Sequence, residues 1–186
     1  MKSSASNIKR PYRHPSRNYY TFSEMQAIRA AAAARTPADE VRVLLQALAG
    51  FRTHEAVTIN LRMIDLVNDR ILVERPNTYR NIRRVPLQQP VRRHIEMMIA
   101  DGLLTSGTEL HCPNWTRKLN RIIHSAGIKP LPNGLRYGYA MHRLAQGISL
   151  WQLACELGYE PYLFPHAEWQ MALPVVERDS VGWFSA

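Results

Sequence analysis

The chain has 186 residues, of which 46% are hydrophobic, so it is long enough to bury the core of one medium-sized domain. It carries 24 basic and 15 acidic residues, and the net charge of +9 favours a polyanionic partner, with nucleic acid first. Two cysteines without CxxC spacing and seven scattered histidines argue against a disulfide framework, a zinc site or any other bound metal, and we expect no cofactor.

The first 20 residues are basic: they contain no acidic residue and five cationic ones, Lys2, Lys9, Arg10, Arg13 and Arg17. Pro11 and Pro15 oppose a helix there, so we predict a flexible arm over residues 1–20 that either lies along a phosphate backbone or stays a solvated tail. The arm lacks the apolar stretch of a secretory signal, and no later run of about 18 apolar residues would span a membrane. We therefore expect a protein of a bacterial-type cytoplasm or nucleoid that does not contact a membrane.

Two helices are predicted to open the domain that we place over residues 21–186. Thr21 and Glu24 have the spacing of a capping box, which predicts a helix ending near residue 34. Thr36 is a cap with Pro37 at the first helical position, and Gly50 ends this second helix. Apolar residues spaced i, i+3, i+4 and i+7 predict its buried face: Val41, Leu44, Leu45 and Leu48.

A small antiparallel sheet is predicted in the middle of the chain, after a short helix over residues 53–59. The runs 70–75 and 82–87 have strand character and flank a hairpin connection at 76–81, and Pro86 places the second strand at an edge. Four more helices are predicted, over residues 90–100, 115–125, 133–145 and 149–157, the last with a capping box from Ser149 to Gln152. The fold class is therefore α+β, mostly helical with one small antiparallel β-hairpin sheet.

Three segments, in this order, resemble the signature of the tyrosine recombinase (phage integrase) family. The segment from Gly50 to Glu55, GFRTHE, is similar to the box G-[LF]-R-x-x-E, and the strand RRVPL is similar to R-x-V-P-L. The third segment, NGLRYGYAMHRLAQG, is similar to H-x-L-R-H-x-F-A-x-H-L-L-x-x-G and is followed by a capped helix ending in Leu-Gly-Tyr159. The resemblance implies the catalytic domain of this family, without the N-terminal core-binding domain that usually closes around DNA.

The resemblance implies that Arg52 and Arg136 hold the DNA phosphate that a recombinase attacks. Guanidinium groups suit this task because they are planar, always charged and bidentate, and the transition state gains negative charge on its oxygens. Glu55, three residues after Arg52, is placed to orient that arginine through a salt bridge. The alternative is that these are ordinary surface arginines with a local ion pair.

The positions that move protons or attack phosphorus in the family are changed. Asn133 stands at the general acid/base histidine and cannot exchange a proton near neutral pH, and Thr78 occupies the turn where the family has its lysine. Tyr159 stands at the second histidine or tryptophan position, where its hydroxyl can still hydrogen-bond a phosphate. The place of the nucleophile falls on Trp169, which has no hydroxyl, so an active enzyme would need a displaced tyrosine, either Tyr162 or Tyr159.

The predicted helix over residues 115–125 is amphipathic. Its apolar residues point to the core, and its cationic residues, Arg117, Lys118 and Arg121, point outward. By resemblance this helix packs on DNA, and three hairpin arginines, Arg80, Arg83 and Arg84, add phosphate contacts. The alternative is a solvated basic face without a partner.

Three functions are compatible with these residues. The first is a DNA-binding but catalytically impaired recombinase homologue of a mobile element, associated with recombination or integration and not itself an enzyme. The second is an active site-specific recombinase that uses a displaced tyrosine, with Tyr162 as the favoured candidate, and the third is a protein-interaction module. The expected partners are double-stranded DNA and, through the hydrophobic tail over residues 162–186, a second copy of the chain or an active recombinase.

Overall fold

The computed structural model describes residues 18–74, 82–105 and 110–159. The predictions for the arm up to residue 17, for Thr78 and Arg80 in the hairpin turn, and for Tyr162, Trp169 and the tail lie outside these residues. The described helices are α1 (Phe22–Ala33), α2 (Pro37–Ala49), α3 (Gln89–Ala100), α4 (Trp115–Ser125), α5 (Gly134–Ala145) and α6 (Leu150–Leu157). The strands are β1 (Ile64–Asp65), β2 (Arg70–Glu74) and β3 (Ile82–Pro86), with short 3-10 turns at Glu55–Val57 and Leu61–Met63.

The first two helices begin and end as predicted. Thr21 accepts a hydrogen bond from the Glu24 backbone while Glu24 accepts from the Thr21 backbone, which is the complete capping box. Thr36 caps α2, Gly50 ends it in the left-handed conformation, and its predicted apolar stripe is buried. Tyr20, the last residue of the predicted arm, packs against the domain: it is only 1% exposed and its hydroxyl accepts a hydrogen bond from the Leu131 backbone.

The sheet has three antiparallel strands in the order β1-β2-β3, of which the sequence predicted two. The missed strand, β1, is two residues long and pairs Ile64 with Ile71, so it is too short to show an alternating pattern. Strand β3 lies at an edge, as its Pro86 requires. Its alternation turns Arg83 and Val85 into the protein and Arg84 outward to solvent.

Helices α4, α5 and α6 complete the fold. Leu119, Ile122 and Ile123 of α4 are buried, as its amphipathic pattern predicts. Ser149 caps α6 by accepting from the Gln152 backbone, but the Gln152 side chain donates to Glu156, so the reciprocal half of the predicted capping box is replaced by this contact.

The described residues contain neither a membrane-spanning helix nor a group of metal-binding side chains. No helix there has both the length and the apolar character needed to cross a bilayer. The same ranges contain no group of three or more histidine, cysteine, aspartate or glutamate side chains arranged to hold a metal ion.

Candidate phosphate-binding site

Four elements meet where α2 ends: the turn after Gly50, strand β3, the first turn of α5 and the C-terminal end of α6. Gly50 makes this meeting possible, because a Cβ at that position would lie 2.6 Å from the Tyr139 ring and 2.9 Å from the Leu157 side chain. Its φ of 64° is also one that favours glycine. The absence of a side chain at Gly50 therefore lets Tyr139 and Leu157, which lie far away in sequence, pack directly against the end of α2.

Glu55 is the centre of the site. Its Oε1 accepts from Arg52 Nη1 at 2.9 Å, and its Oε2 accepts from the Arg52 backbone N–H at 2.6 Å. The same Oε2 accepts from Arg83 Nη2 at 2.7 Å and lies 3.8 Å from Arg136 Nη1. One carboxylate thus faces three guanidinium groups, and within the described residues these contacts include no second carboxylate.

Arg136 is held by backbone carbonyls. Its side chain is 4% exposed; Nη1 donates to Gly50 O and Nη2 donates to Leu157 O at 2.6 Å. Leu157 is the last residue of α6, and the final carbonyls of a helix have no partner within the helix and carry partial negative charge. This explains how a cation is held here with little help from a carboxylate, and it contradicts the alternative of an ordinary surface arginine.

The charges of the cluster change two pKa values. Burial by itself would raise the pKa of Glu55, but the charge of Arg83, the Arg52 backbone N–H and the charges of Arg136 and Arg52 together bring it below its ordinary value. Burial lowers the pKa of Arg136, and the charge of Arg52 lowers it further, while Glu55 and Tyr159 act in the opposite direction. The charges of the arginines therefore dominate the shift of the Glu55 pKa, whereas burial dominates that of the Arg136 pKa and the charge of Arg52 adds to it.

The exposed side of the site is formed by Arg52 and Tyr159. The Arg52 side chain is 34% exposed, and its Nε and Nη2 have no hydrogen-bond partner among the described residues. The half-buried Tyr159 ring lies with its centroid 5.9 Å from the Arg52 guanidinium carbon and 5.5 Å from that of Arg136. The site can therefore receive an anion from the solvent side, beside an aromatic hydroxyl.

The other predicted site residues fall into separate places. Asn133 is the exposed N-cap of α5, in the left-handed conformation, and its side chain makes no capping hydrogen bond. Arg117 and Arg121 are exposed on α4, whereas Lys118 Nζ lies 2.7 Å from the buried carboxylate of Asp39. Part of the predicted basic face of α4 is therefore turned toward the protein.

The predicted role of Arg83 requires a correction. It was predicted as a surface contact to phosphate, but its side chain is 3% exposed and its guanidinium binds Glu55 and Leu157 O. Arg84, its exposed neighbour on β3, remains available for that role. The signal was in the sequence, because Arg83, Val85 and Leu87 share one face of the strand and the latter two are apolar.

Neither a family model nor a curated protein sequence matches this chain. Its structure is similar to that of XerA recombinase, with a TM-score of 0.69 and 20% identity over 93% of this chain and 68% of that one. It is also similar to the catalytic domain of bacteriophage HP1 integrase, with a TM-score of 0.64 and 18% identity over 88% of this chain and 90% of that one. A third similar structure is XerH site-specific recombinase in a post-cleavage complex with its palindromic difH substrate, with a TM-score of 0.62 and 17% identity over 87% of this chain and 53% of that one.

These similarities confirm the predicted fold. The described helices and the small antiparallel sheet form the catalytic-domain fold of tyrosine recombinases and phage integrases. At identities of 20% or less the similarity concerns the fold, and the chemistry of this chain has to be argued from its own side chains.

Proposed function

We propose that this chain binds double-stranded DNA through its sugar-phosphate backbone, holds one phosphate between Arg52 and Arg136, and is impaired in strand cleavage. The observation that carries the proposal is the charge imbalance around Glu55, where three guanidinium groups surround one carboxylate. Buried positive charge in excess of its counter-charge is costly unless an anion joins it. A phosphodiester supplies that anion with the oxygen geometry that guanidinium groups bind best.

DNA is favoured over a small anion because basic side chains continue beyond the site. Arg117 and Arg121 are exposed on α4, Arg84 is exposed on β3, and the whole chain has a net charge of +9. Contacts of this kind neutralise phosphates along a duplex and depend strongly on salt, without reading its sequence. Among the similar structures, XerH recombinase is bound to its difH substrate and the Tn1549 transposon integrase is in complex with circular intermediate DNA, which supports a DNA partner for this chain.

The impairment follows from the groups that stand at the proton-transfer positions. Asn133 stands at the start of α5, where its side chain is exposed, and its amide cannot exchange a proton near neutral pH. General acid/base catalysis typically contributes about 10²–10⁴-fold to a rate. A chain that keeps the two arginines and lacks this group still binds the phosphate, but it cleaves the strand more slowly by about that factor.

The test measures binding to a mixed-sequence duplex by fluorescence anisotropy across a salt series. We expect Arg52→Met/Arg136→Met to weaken binding roughly 100-fold, because two charge-assisted contacts of about 1.5 kcal/mol each are lost. The slope of log affinity against log salt should fall by about one phosphate contact.

Two arginines that lie away from the site provide the matched control. Arg35 is exposed beyond the other end of α2, about 20 Å along that 13-residue helix from Gly50, and Arg93 is exposed on α3. Arg35→Met/Arg93→Met makes the same change in charge. Equal losses in the two double variants, or no binding by the wild type at low salt, would reject the proposal.

One contact favours a second function, DNA strand transfer by Tyr159. Its ring lies against both arginines, so a phosphate held between them would be close to its hydroxyl. In that reaction Tyr159 Oη forms a bond to phosphorus, the bond to the 5′-oxygen breaks, and the phenolic proton passes through water to the leaving oxygen. A nicked duplex that traps a covalent intermediate decides this: a protein–DNA adduct that disappears in Tyr159→Phe would establish strand transfer, and no adduct would leave DNA binding alone.

A further inference from the structure

Arg83 is a buried cation outside the pair that the proposed function uses. Its side chain is 3% exposed, and its guanidinium carbon lies 5.2 Å from the centroid of the Phe51 ring. Placing a guanidinium in such surroundings is costly, and it is tolerated only when good acceptors surround it. The position of those acceptors is what links Arg83 to the phosphate site.

Arg83 and Arg136 share one backbone acceptor and face the same carboxylate oxygen. Leu157 O accepts from Arg83 Nη1 at 2.7 Å and from Arg136 Nη2 at 2.6 Å. Glu55 Oε2 accepts from Arg83 Nη2 at 2.7 Å, whereas Arg136 Nη1 remains 3.8 Å away. The two arginines therefore lie side by side on one carbonyl, and only Arg83 forms a hydrogen bond with the carboxylate.

The reason for this difference is the limited capacity of one carboxylate oxygen. An ionised carboxylate has about four lone-pair sites, two on each oxygen. On Oε2, one site is taken by the Arg52 backbone N–H at 2.6 Å and the other by Arg83 Nη2. No lone pair on this oxygen is left for Arg136, which explains why it stays beyond hydrogen-bond distance of an oppositely charged neighbour.

We infer that Arg83 is a positioning residue of the phosphate site: by occupying Glu55 Oε2 and sharing Leu157 O, it prevents Arg136 from forming a hydrogen bond with Glu55. The charge of Arg136 is then only partly compensated by Glu55, and it can also attract an external phosphate. This deepens the proposed function and rests on it for the identity of the anion. It also assigns Arg83 an effect on DNA affinity although its side chain does not reach the surface.

The direct test is a double-mutant cycle between Arg83 and Glu55, measured by anisotropy with the same duplex. In the wild-type background, Arg83→Met frees a lone pair of Glu55 Oε2, so Arg136 moves onto it and binding weakens about tenfold. In a Glu55→Gln background there is no carboxylate to capture Arg136. The same Arg83→Met change should then weaken binding less than about twofold.

A matched cycle separates this coupling from a change in net charge. Glu96 is an exposed carboxylate on α3 that pairs with Arg92, away from the cluster. In a Glu96→Gln background, which gains the same charge as Glu55→Gln, Arg83→Met should still weaken binding about tenfold. An equal effect of Arg83→Met in all three backgrounds would mean that Arg83 contacts DNA directly or only supports the fold, and would overturn the inference.

Arg83→Lys keeps the experiment decisive if Arg83→Met fails to fold, as judged by urea unfolding of every variant. Lysine retains the charge but lacks the planar fork, so one ammonium cannot hold Glu55 Oε2 and Leu157 O in the geometry of Arg83. We expect Arg83→Lys to weaken binding in the wild-type background and to have little effect in the Glu55→Gln background. Wild-type affinity in Arg83→Lys would show that charge alone suffices, which contradicts a positioning role.

A DNA-free measurement distinguishes failure of this inference from failure of the proposed function. The ¹⁵N side-chain resonance of Arg136, assigned by its loss in Arg136→Met, is followed while inorganic phosphate is added. We expect it to shift in the wild type, to shift less in Arg83→Met, and to shift again in Arg83→Met/Glu55→Gln. If this pattern holds while no variant binds DNA, the inference stands and the DNA proposal fails. If phosphate moves the resonance equally in wild type and Arg83→Met, or does not move it in the wild type, the inference fails.

Discussion

Glu156 on α6 and Glu55 in the turn after α2 are both buried carboxylates, but they differ in the number of guanidinium groups around them. Glu156 accepts from Arg143 Nη2 at 2.6 Å and Nε at 3.0 Å, and from the Tyr139 hydroxyl at 2.8 Å. Gln152 also donates to it, at 3.2 Å. One carboxylate therefore meets one guanidinium, and neutral donors complete its shell.

Glu55 faces three guanidinium groups, whereas Glu156 faces one. Arg52, Arg83 and Arg136 surround Glu55 within 3.8 Å, so the cluster has an excess of positive charge. The type of residue therefore does not distinguish a structural ion pair from a binding site. The balance of charges makes this distinction. A cluster with equal positive and negative charge needs no further ion, whereas a cluster with excess positive charge is stabilised when an anion binds.

The largest expected effect comes from breaking the balanced cluster. Arg143→Met should lower the free energy of unfolding by about 3–5 kcal/mol, because it leaves the buried Glu156 carboxylate without its counter-charge. Burial and Glu156 raise the pKa of Tyr139, so its hydroxyl remains a neutral donor and cannot replace the lost charge. Urea unfolding monitored by circular dichroism measures this change.

Its control is DNA affinity at a temperature where the variant is folded. We expect Arg143→Met to bind the duplex within about twofold of the wild type, since Arg143 belongs to neither the phosphate site nor the α4 face. A small stability change together with a large loss of affinity would reverse the roles that we assign to the two clusters.

A smaller effect is expected when an anion completes the unbalanced cluster. Inorganic phosphate at ten times its dissociation constant should raise the free energy of unfolding of the wild type by about 1.4 kcal/mol, through binding to the native state alone. Arg52→Met/Arg136→Met should lose this gain, and Arg35→Met/Arg93→Met should keep it. Sodium chloride at equal ionic strength is the reference for general screening. Equal stabilisation of both double variants by phosphate would place the anion elsewhere.

The sequence predicted the helices better than it predicted the site. Capping residues and apolar spacing are local signals, so Thr21, Thr36 and Gly50 placed the ends of α1 and α2 within a residue or two. The resemblance correctly brought Arg52, Glu55, Arg136 and Tyr159 together. What it left open is the contact geometry, which depends on distances across the fold.

Arg83 and Lys118 show why the remainder could not be predicted by counting basic residues. Both were assigned to a DNA-binding surface, yet Arg83 binds Glu55, 28 residues away, and Lys118 pairs with Asp39 on α2. Their partners lie far away in sequence, and a charged residue reads as exposed until its partner is known. The acceptor Leu157 O was equally invisible, because every residue has a backbone carbonyl and only the fold selects which helix end faces a cation.

A modest effect is expected from the aromatic edge of the unbalanced cluster. Tyr159→Phe keeps the ring over Arg52 and Arg136 and removes the hydroxyl, so DNA binding should weaken by about two- to fivefold, the value of one hydrogen bond. Tyr159→Leu also removes the aromatic face and should weaken binding further, because cation–π contact contributes to holding both guanidinium groups. Identical affinities for Tyr159→Phe and Tyr159→Leu would show that the ring does not support the arginines.

The smallest expected effect is a change in how the free energy of unfolding depends on acidic pH, and it concerns Glu55 itself. Because the pKa of Glu55 is lowered in the folded protein, its contribution to stability is present above the ordinary carboxyl pKa, about 4.3, and is lost as the pH falls through the lowered value. Glu55→Gln removes this contribution, so the free energy of unfolding of wild type minus variant should be constant from pH 7 to about pH 5 and should shrink below pH 4.3. Urea unfolding between pH 3 and pH 7 measures the difference, with Glu96→Gln as the exposed control. A difference that grows on acidification would have the opposite sign and would mean that the three arginines do not hold Glu55 in its charged form.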